Sequence, residues 1–253
     1  MTDTDPRPWW RRLNTSAGAL TVLTLLALVI AGPGHRFGLL DFTLAVQLSL
    51  GTALLAALGL IAAIGALLAG RIGHPKRLGL GSVVALVVCG ALLVQFGVWA
   101  QRANSVPSIH DITTDTEDPP AFVAIAPLRA DAPNPVDYAG ESVAEQQRSA
   151  YPDLATLELD QVPGDVLATV ESYAAEQGWE IVESNLDEGR LEATSTTFWF
   201  GYKDDIVVRA RWSGSGTSLD VRSKSRVGRS DLGTNAERIR GLLAVLKPPT
   251  NES

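Results

Sequence analysis

Residues Asp187–Ser225 read DEGRLEATSTTFWFGYKDDIVVRARWSGSGTSLDVRSKS, and the punctuation of this stretch decides the fold. Three turn signals, DEG, GYKDD and SGSGT, bound runs in which apolar and polar side chains alternate, the pattern of half-buried strands joined as hairpins. WEIVES, just upstream at Trp179–Ser184, supplies another strand, so the reading is four strands in antiparallel succession. Successive strand residues point to opposite sides of a sheet. Leu191, Ala193, Ile206, Val208, Ala210, Trp212, Leu219 and Val221 therefore share one face, while Arg190, Glu192, Arg209, Arg211, Asp220, Arg222 and Lys224 share the other, where they read as a solvated ladder of cross-strand charge pairs. Phe198-Trp199-Phe200 puts aromatic bulk on both faces, so something must cover part of the polar side: the proline-rich segment upstream is the first candidate and a bilayer surface the second.

Two helices flank this meander. Asp165–Gln177 carries Val166, Leu167, Val170, Tyr173 and Ala174 at helical spacing before Gly178. Asn235–Leu246 carries Ile239, Leu242, Leu243 and Leu246 on one side, with Thr234 as N-cap and Pro248-Pro249 as stop. The expected fold of this half is α+β, a four-stranded antiparallel sheet with helices packed on one face. Between 105 and 163, Pro107, Pro119, Pro120, Pro127, Pro133, Pro135 and Pro152 forbid long regular elements and predict a wrapping segment. Within it AFVAI (Ala121–Ile125) reads as a short strand and GESVAEQQRSAY (Gly140–Tyr151) as a helix.

Composition changes sharply near Asn104. Up to that point eight basic residues against three acidic ones give +5, and the remaining 13 basic and 25 acidic residues give −12. An acidic domain repels nucleic acid, because nonspecific attachment needs cations that displace counterions, so no nucleic-acid partner is expected. The first half holds three apolar runs long enough to cross a bilayer, Leu13–Ala31 ending at GPG, Phe42–Ala69, and Leu78–Ala100, with RIGHPKR as the turn between the last two. Arg11-Arg12 also fits an export signal, but no convincing small-x-small cleavage site follows and two more spans come after it. Gln47, Gln95 and, at a boundary, Asp41 are the polar groups of the spans; without an intramembrane charge relay they read as an anchor in the lipid bilayer. Arg7, Arg11, Arg12, Arg71, Lys76 and Arg77 on one side against Arg36 and Arg102 on the other predict a cytoplasmic N-terminus and a C-terminal domain beyond the membrane, the periplasm in a bacterium with an inner membrane. The expected organisation is a three-span anchor over 1–104 and an extracytoplasmic domain over 105–253, divided into the wrapping segment 105–163 and a helix-meander-helix core 164–247. Cys89 lies within the third span, so no intrachain disulfide forms.

The charged run DVRSKSRVGRSDLGTNAERIR (Asp220–Arg240) gathers cations around glycine-punctuated turns. Two readings compete. Arg222, Lys224, Arg226 and Arg229, with Ser230, Thr234, Asn235 and the start of a helix, form an anion site, since unpaired helix N–H groups and forked guanidinium donors suit phosphate or carboxylate. Alternatively Asp204, Asp205, Asp220 and Asp231 pair with them as an internal network that fixes the strand-to-helix corner. The segment IHDITTDTEDPP adds Asp111, Asp115, Glu117 and Asp118 as counter-ions able to dock against the same cations. Those acids and threonines are hard oxygen donors of the kind Ca²⁺ takes, but EF-hand spacing is missing and no metal or other cofactor is assigned.

IHDITTDTEDPPAF (Ile109–Phe122), WFGYKDD (Trp199–Asp205) and DVRSKSRVGRSDLGTNAERI together resemble the signature blocks of domain-of-unknown-function family 1499. The resemblance covers Ile109 to Leu246. It implies an extracytoplasmic or organellar module and brings no reaction and no catalytic residue. The function expected is a binding or assembly module of the cell envelope, taking an anionic small molecule or another envelope protein. The alternatives are a purely structural interaction protein, and an envelope hydrolase using Ser225 or Ser230 with His110, the one histidine beyond Asn104, although no G-x-S-x-G elbow is present.

Overall fold

The computed structural model describes residues 9–73 and 79–247, the side chains of 70–73 excepted. Arg7, Lys76, Arg77, the beginning of the third apolar run at Leu78, and Pro248-Pro249 lie outside the described residues, as does the side chain of Arg71. Backbone neighbourhoods divide the chain into two compact units, Met1–Gln101 with Trp199–Gly201, and Arg102–Phe198 with Tyr202–Ser253.

The first unit contains three helices long and apolar enough to cross a membrane, α1 (Trp9–Arg36), α2 (Phe42–Gly73) and α3 (Leu80–Ser105). At 28, 32 and 26 residues each reaches about 40 Å or more. GPG does not end α1: the helix runs through Pro33 to Arg36. Proline costs one backbone hydrogen bond, the one that would end on Val29 O, but does not forbid a helix, and the ladder resumes beyond it with Phe37 N–H donating to Pro33 O at 2.9 Å. Small residues bring these helices close. Ala17, Ala56, Ala63, Ala85 and Cys89 form one buried cluster, and a Cβ built on Gly18 would be only 3.5 Å from Gly81 Cα. Thr21, Thr24 and Thr52 return their hydroxyls to carbonyls four residues back, which gives each of these three donors an acceptor in an apolar medium.

The second unit is built on an antiparallel sheet of six strands, not four. The meander β3 (Glu180–Asn185), β4 (Arg190–Thr196), β5 (Lys203–Trp212) and β6 (Thr217–Ser225) is joined by β1 (Asp111–Thr113) and β2 (Leu157–Leu159), both paired to β6. Three-residue strands carry no readable period, and both lie in the proline-rich segment, which is therefore part of the sheet. Gly189 shows how tightly the meander closes: its φ is 64°, and a Cβ there would be 2.1 Å from the Ala210 carbonyl oxygen.

Helix α4 (Glu141–Ala150) follows Gly140, and α5 (Pro163–Glu176) and α6 (Thr234–Leu246) flank the meander. Val166, Leu167, Val170 and Ala174 of α5 and Ala236, Ile239, Leu242 and Leu243 of α6 share one buried cluster with Leu191, Ala193, Ile206, Val208, Ala210, Leu219 and Val221. Trp212 is outside it, exposed at the end of β5. Strand β4 stops at Thr196, so Phe198-Trp199-Phe200 belongs to the turn before β5 and does not load both sheet faces.

Most of the charged face is buried, Arg211 at its edge excepted. Glu192, Asp205 and Asp220 are fully buried and Lys224 is 1% exposed. The cover comes from residues between Thr114 and Tyr138, where Phe122, Ile125 and Val136 pack with Val182 and Val207 in a second, smaller cluster. AFVAI is not a strand. It ends in a bend that leads into a 3-10 turn, Ala126–Arg129, and its amides point at a side chain instead of a neighbouring strand.

Candidate functional site

Strand β6 sets Arg222 and Lys224 two residues apart on the charged face, and β1 lies opposite in register, Asp111 facing Lys224 and Thr113 facing Arg222. Asp111 thereby serves two cations. Arg222 donates from Nε and Nη2, at 2.9 Å each, to its two oxygens, and Lys224 Nζ donates to Oδ2 at 2.8 Å. The donors that remain go to main-chain carbonyls, Pro120 O and Val136 O for Arg222 and Asp137 O for Lys224. The Arg222 guanidinium also lies 5.0 Å from the ring centre of Phe122 and 5.4 Å from that of Tyr138, contacts that favour a desolvated cation. Burial pushes the Lys224 ammonium below its ordinary range, and Asp111 works against that shift.

A second carboxylate repeats the arrangement. Asp205 accepts from Arg226 Nη2 at 2.8 Å and Nε at 2.9 Å, and Arg129 Nη1 lies 3.1 Å away with both side chains fully buried. Arg226 Nη1 donates to Leu128 O, and Arg129 Nη2 to Asn134 O and Ser225 O. Burial lowers the Arg129 pKa and Asp205 opposes the shift. Around Asp111 and Asp205, then, Arg129, Arg222, Lys224 and Arg226 share two acids. Carbonyls and aromatic faces take up the excess positive charge, so the donors are turned inward.

Elsewhere the same logic recurs. Asp204 pairs with Arg238 at 2.8 Å. Asp220 accepts from Arg209 at 2.9 Å, Arg211 at 3.2 Å and Thr156 at 2.6 Å. Asp115 and Asp118 of the covering segment reach Arg209, and Asp118 reaches Arg211, whereas Glu117 contributes its backbone N–H to Asp115. Glu192, held by Arg190, accepts the main-chain N–H groups of Val123, Ala124 and Ile125 at 2.9, 3.1 and 2.8 Å. Such a nest is an anion site, and here its anion is the protein's own carboxylate.

The start of α6 is filled in the same way. Gly233, at φ 79°, is the N-cap in place of Thr234, because Asp231 supplies the acceptor: Oδ1 takes Gly233 N–H and Oδ2 takes Asn235 N–H, both at 2.8 Å. Burial raises the Asp231 pKa against the pull of those two bonds. Ser230 accepts from Leu232 N–H. Asn235, fully buried, takes Ser223 Oγ–H at 2.7 Å and donates to Ser225 Oγ and His110 O. Arg229 is exposed and, among the described residues, alone of the β6–α6 corner's cations forms no side-chain ion pair.

Among the described residues no hydrogen bond joins His110 to Ser223, Ser225 or Ser230. His110 Nδ1 is 3.4 Å from Arg229 O, and the hydroxyls of Ser223 and Ser225 are engaged with Asn235. A surface depression of about 480 Å³ lies between Asn104–Pro107 and the helix α4 residues Glu145, Gln146, Ser149 and Ala150, and one of about 220 Å³ is lined by Glu158–Gln161 and Leu246. Neither includes a residue of the basic corner. Arg129 and Arg238 escape notice as members of this network, since nothing in the local pattern marks their distant partners; Arg209, Arg211 and Glu192 lie on the expected cross-strand ladder, which includes the Arg209–Asp220 pair but not the partners that the covering segment supplies.

No curated protein and no solved structure matches the chain. Residues 111–246 match the family described as Protein of unknown function (DUF1499). That segment begins at Asp111, the acid shared by Arg222 and Lys224, and ends with α6, so it encloses both the charged layer and the sheet that carries it. The chain belongs to the DUF1499 family, with three membrane-capable helices preceding the family domain.

Proposed function

We propose that this multi-pass protein of the cell inner membrane holds its DUF1499 domain on the periplasmic side as an assembly module for another envelope protein, with the basic corner as an internal strut. One observation carries the reading: Arg129, Arg222, Lys224 and Arg226 are committed to Asp111 and Asp205, and the α6 N-terminus to Asp231. A small anion would have to displace a buried carboxylate that is tethered to the same fold. Sidedness rests on the count of cations flanking the spans.

The full chain in detergent micelles tests the strut. Arg226→Ala leaves Asp205 with Arg129 and the Thr194 hydroxyl and lowers the melting temperature of the unliganded protein, while phosphate, dicarboxylates and glycans leave the parent's melting temperature unchanged. A rise with one of these anions that Arg226→Ala or Arg229→Ala abolishes would favour the other reading, anion recognition by Arg222, Lys224, Arg226 and Arg229. A compartment-sensitive reporter fused after Ser253 tests sidedness: activity in the cytoplasm overturns it.

A further inference from the structure

The turn between β4 and β5 is uncharged and rich in exposed aromatics within an acidic domain. Ala193–Tyr202 contains no charged residue, in a half of the chain that carries −12. At its tip Phe198 is 83% exposed and Trp199 38%. The turn is not loose: Thr197 N–H donates to Tyr202 O at 2.9 Å, Tyr202 N–H donates to Thr197 Oγ1 at 2.8 Å, and Gly201 supplies the positive φ of 70°. The aromatics are thus presented on a fixed hairpin end.

We propose that this tip, Thr197–Tyr202, seats in the membrane–water interface of the bilayer that the chain itself spans. Trp and Phe favour that zone, where a ring can be apolar on one side and wet on the other. The charges that follow suit the depth. Lys203 is an exposed cation at the root of the turn, placed to meet lipid phosphates, whereas Asp204 and Asp205 are neutralised by Arg238 and by Arg226 with Arg129. The turn at the other end of the strands, Ser213–Gly216, is serine and glycine alone and has no such affinity.

The experiment uses the full chain with Cys89→Ala, reconstituted in phosphatidylcholine–phosphatidylglycerol vesicles. A nitroxide is attached at Phe198→Cys or, in a second protein, at Trp199→Cys, with Ser215→Cys as the control. Oxygen concentrates in lipid and a nickel chelate in water. Labels at 198 and 199 should collide with oxygen several-fold more, relative to nickel, than the label at 215. Equal ratios at 198, 199 and 215 place the tip in water and overturn the proposal. Shielding of 198 and 199 from both reagents means that protein covers the tip, which also overturns it. Both leaflets offer an interface, so the outcome is independent of the sidedness proposed above.

Discussion

Arg222 meets Asp111 fork to fork, Nε and Nη2 each 2.9 Å from one carboxylate oxygen, across 111 positions of sequence. The bond ties the first strand of the domain to the last, and both side chains are nearly inaccessible. Lys224 is bound to the same carboxylate, so Asp111→Asn strands two buried cations. Loss of one member of a buried ion pair costs about 3–5 kcal/mol. The melting temperature of the domain in the intact protein should fall by about 10 °C. Adding Lys224→Met to Asp111→Asn should recover part of the loss, since it removes one of the stranded charges. A melting curve for Asp111→Asn that overlays the parent's would mean that this link is dispensable.

Glu192→Gln probes the nest. Both carboxylate oxygens are in use, one by Val123 and Ala124 N–H and the other by Ile125 N–H. Glutamine keeps the shape but turns an amide N–H₂ toward at least one of those donors, leaving a buried N–H without an acceptor at a cost of about 1–3 kcal/mol. The loss should be local before it is global. Hydrogen–deuterium exchange of peptides covering 121–129 should accelerate roughly tenfold, with the β5–β6 hairpin less affected. Unchanged exchange at 121–129 would show that the covering segment is held by its apolar contacts alone.

How far these features can be read from sequence depends on the range of the forces that make them. The β4–β5–β6 meander is legible because its turns and alternating side chains are local. β1 and β2 are not, because three residues have no period and their pairing with β6 is decided tens of residues away. The charged face is misread as solvated for a related reason: Arg, Lys, Asp and Glu are almost never fully buried unless paired, and the pairing acids and covering side chains come from Asp111–Tyr138. Arg129 sits in a proline-containing 3-10 turn without any charge pattern. At the α6 corner Thr234 has the right chemistry for an N-cap, yet Leu232 at φ 55° and Gly233 at φ 79° turn the chain so that Asp231 reaches the free amides first.

Arg209 and Arg211 sit side by side on β5 and bind the same acids, so they separate burial from chemistry. Arg209 is 18% exposed and adds a bond to Asp118 O at 2.8 Å, whereas Arg211 is 49% exposed and its partner Asp118 is 68% exposed. Arg209→Ala should cost about 2 kcal/mol, the usual worth of hydrogen bonds to a charged group. Arg211→Ala should cost at most about 1 kcal/mol, as exposed ion pairs do. Repeating the melts in 0.5 M salt should shrink the Arg211 effect further and leave that of Arg209, because screening acts mainly on the exposed pair. Equal costs for the two would contradict this ordering.

His110 gives the domain a stability that depends on acidity. Burial of the half-exposed imidazole lowers its pKa, with Lys224 acting in the same direction, while the contact to Arg229 O and the charges of Asp111 and Asp231 oppose it. A histidine whose folded pKa is depressed contributes fully above its ordinary value of about 6.5, and that contribution is lost as pH falls through 6.5 toward the folded value, because the unfolded chain takes up the proton first. Asp231 has the opposite sign: its raised pKa gives a contribution present at low pH and lost as pH rises from about 3.9, a window that begins well below that of the histidine. Between pH 7.5 and 5.5 the parent's melting temperature should therefore drop more steeply than that of His110→Gln, which cannot charge. Parallel curves for the two proteins over that interval would show that the imidazole titrates alike in the folded and unfolded chain.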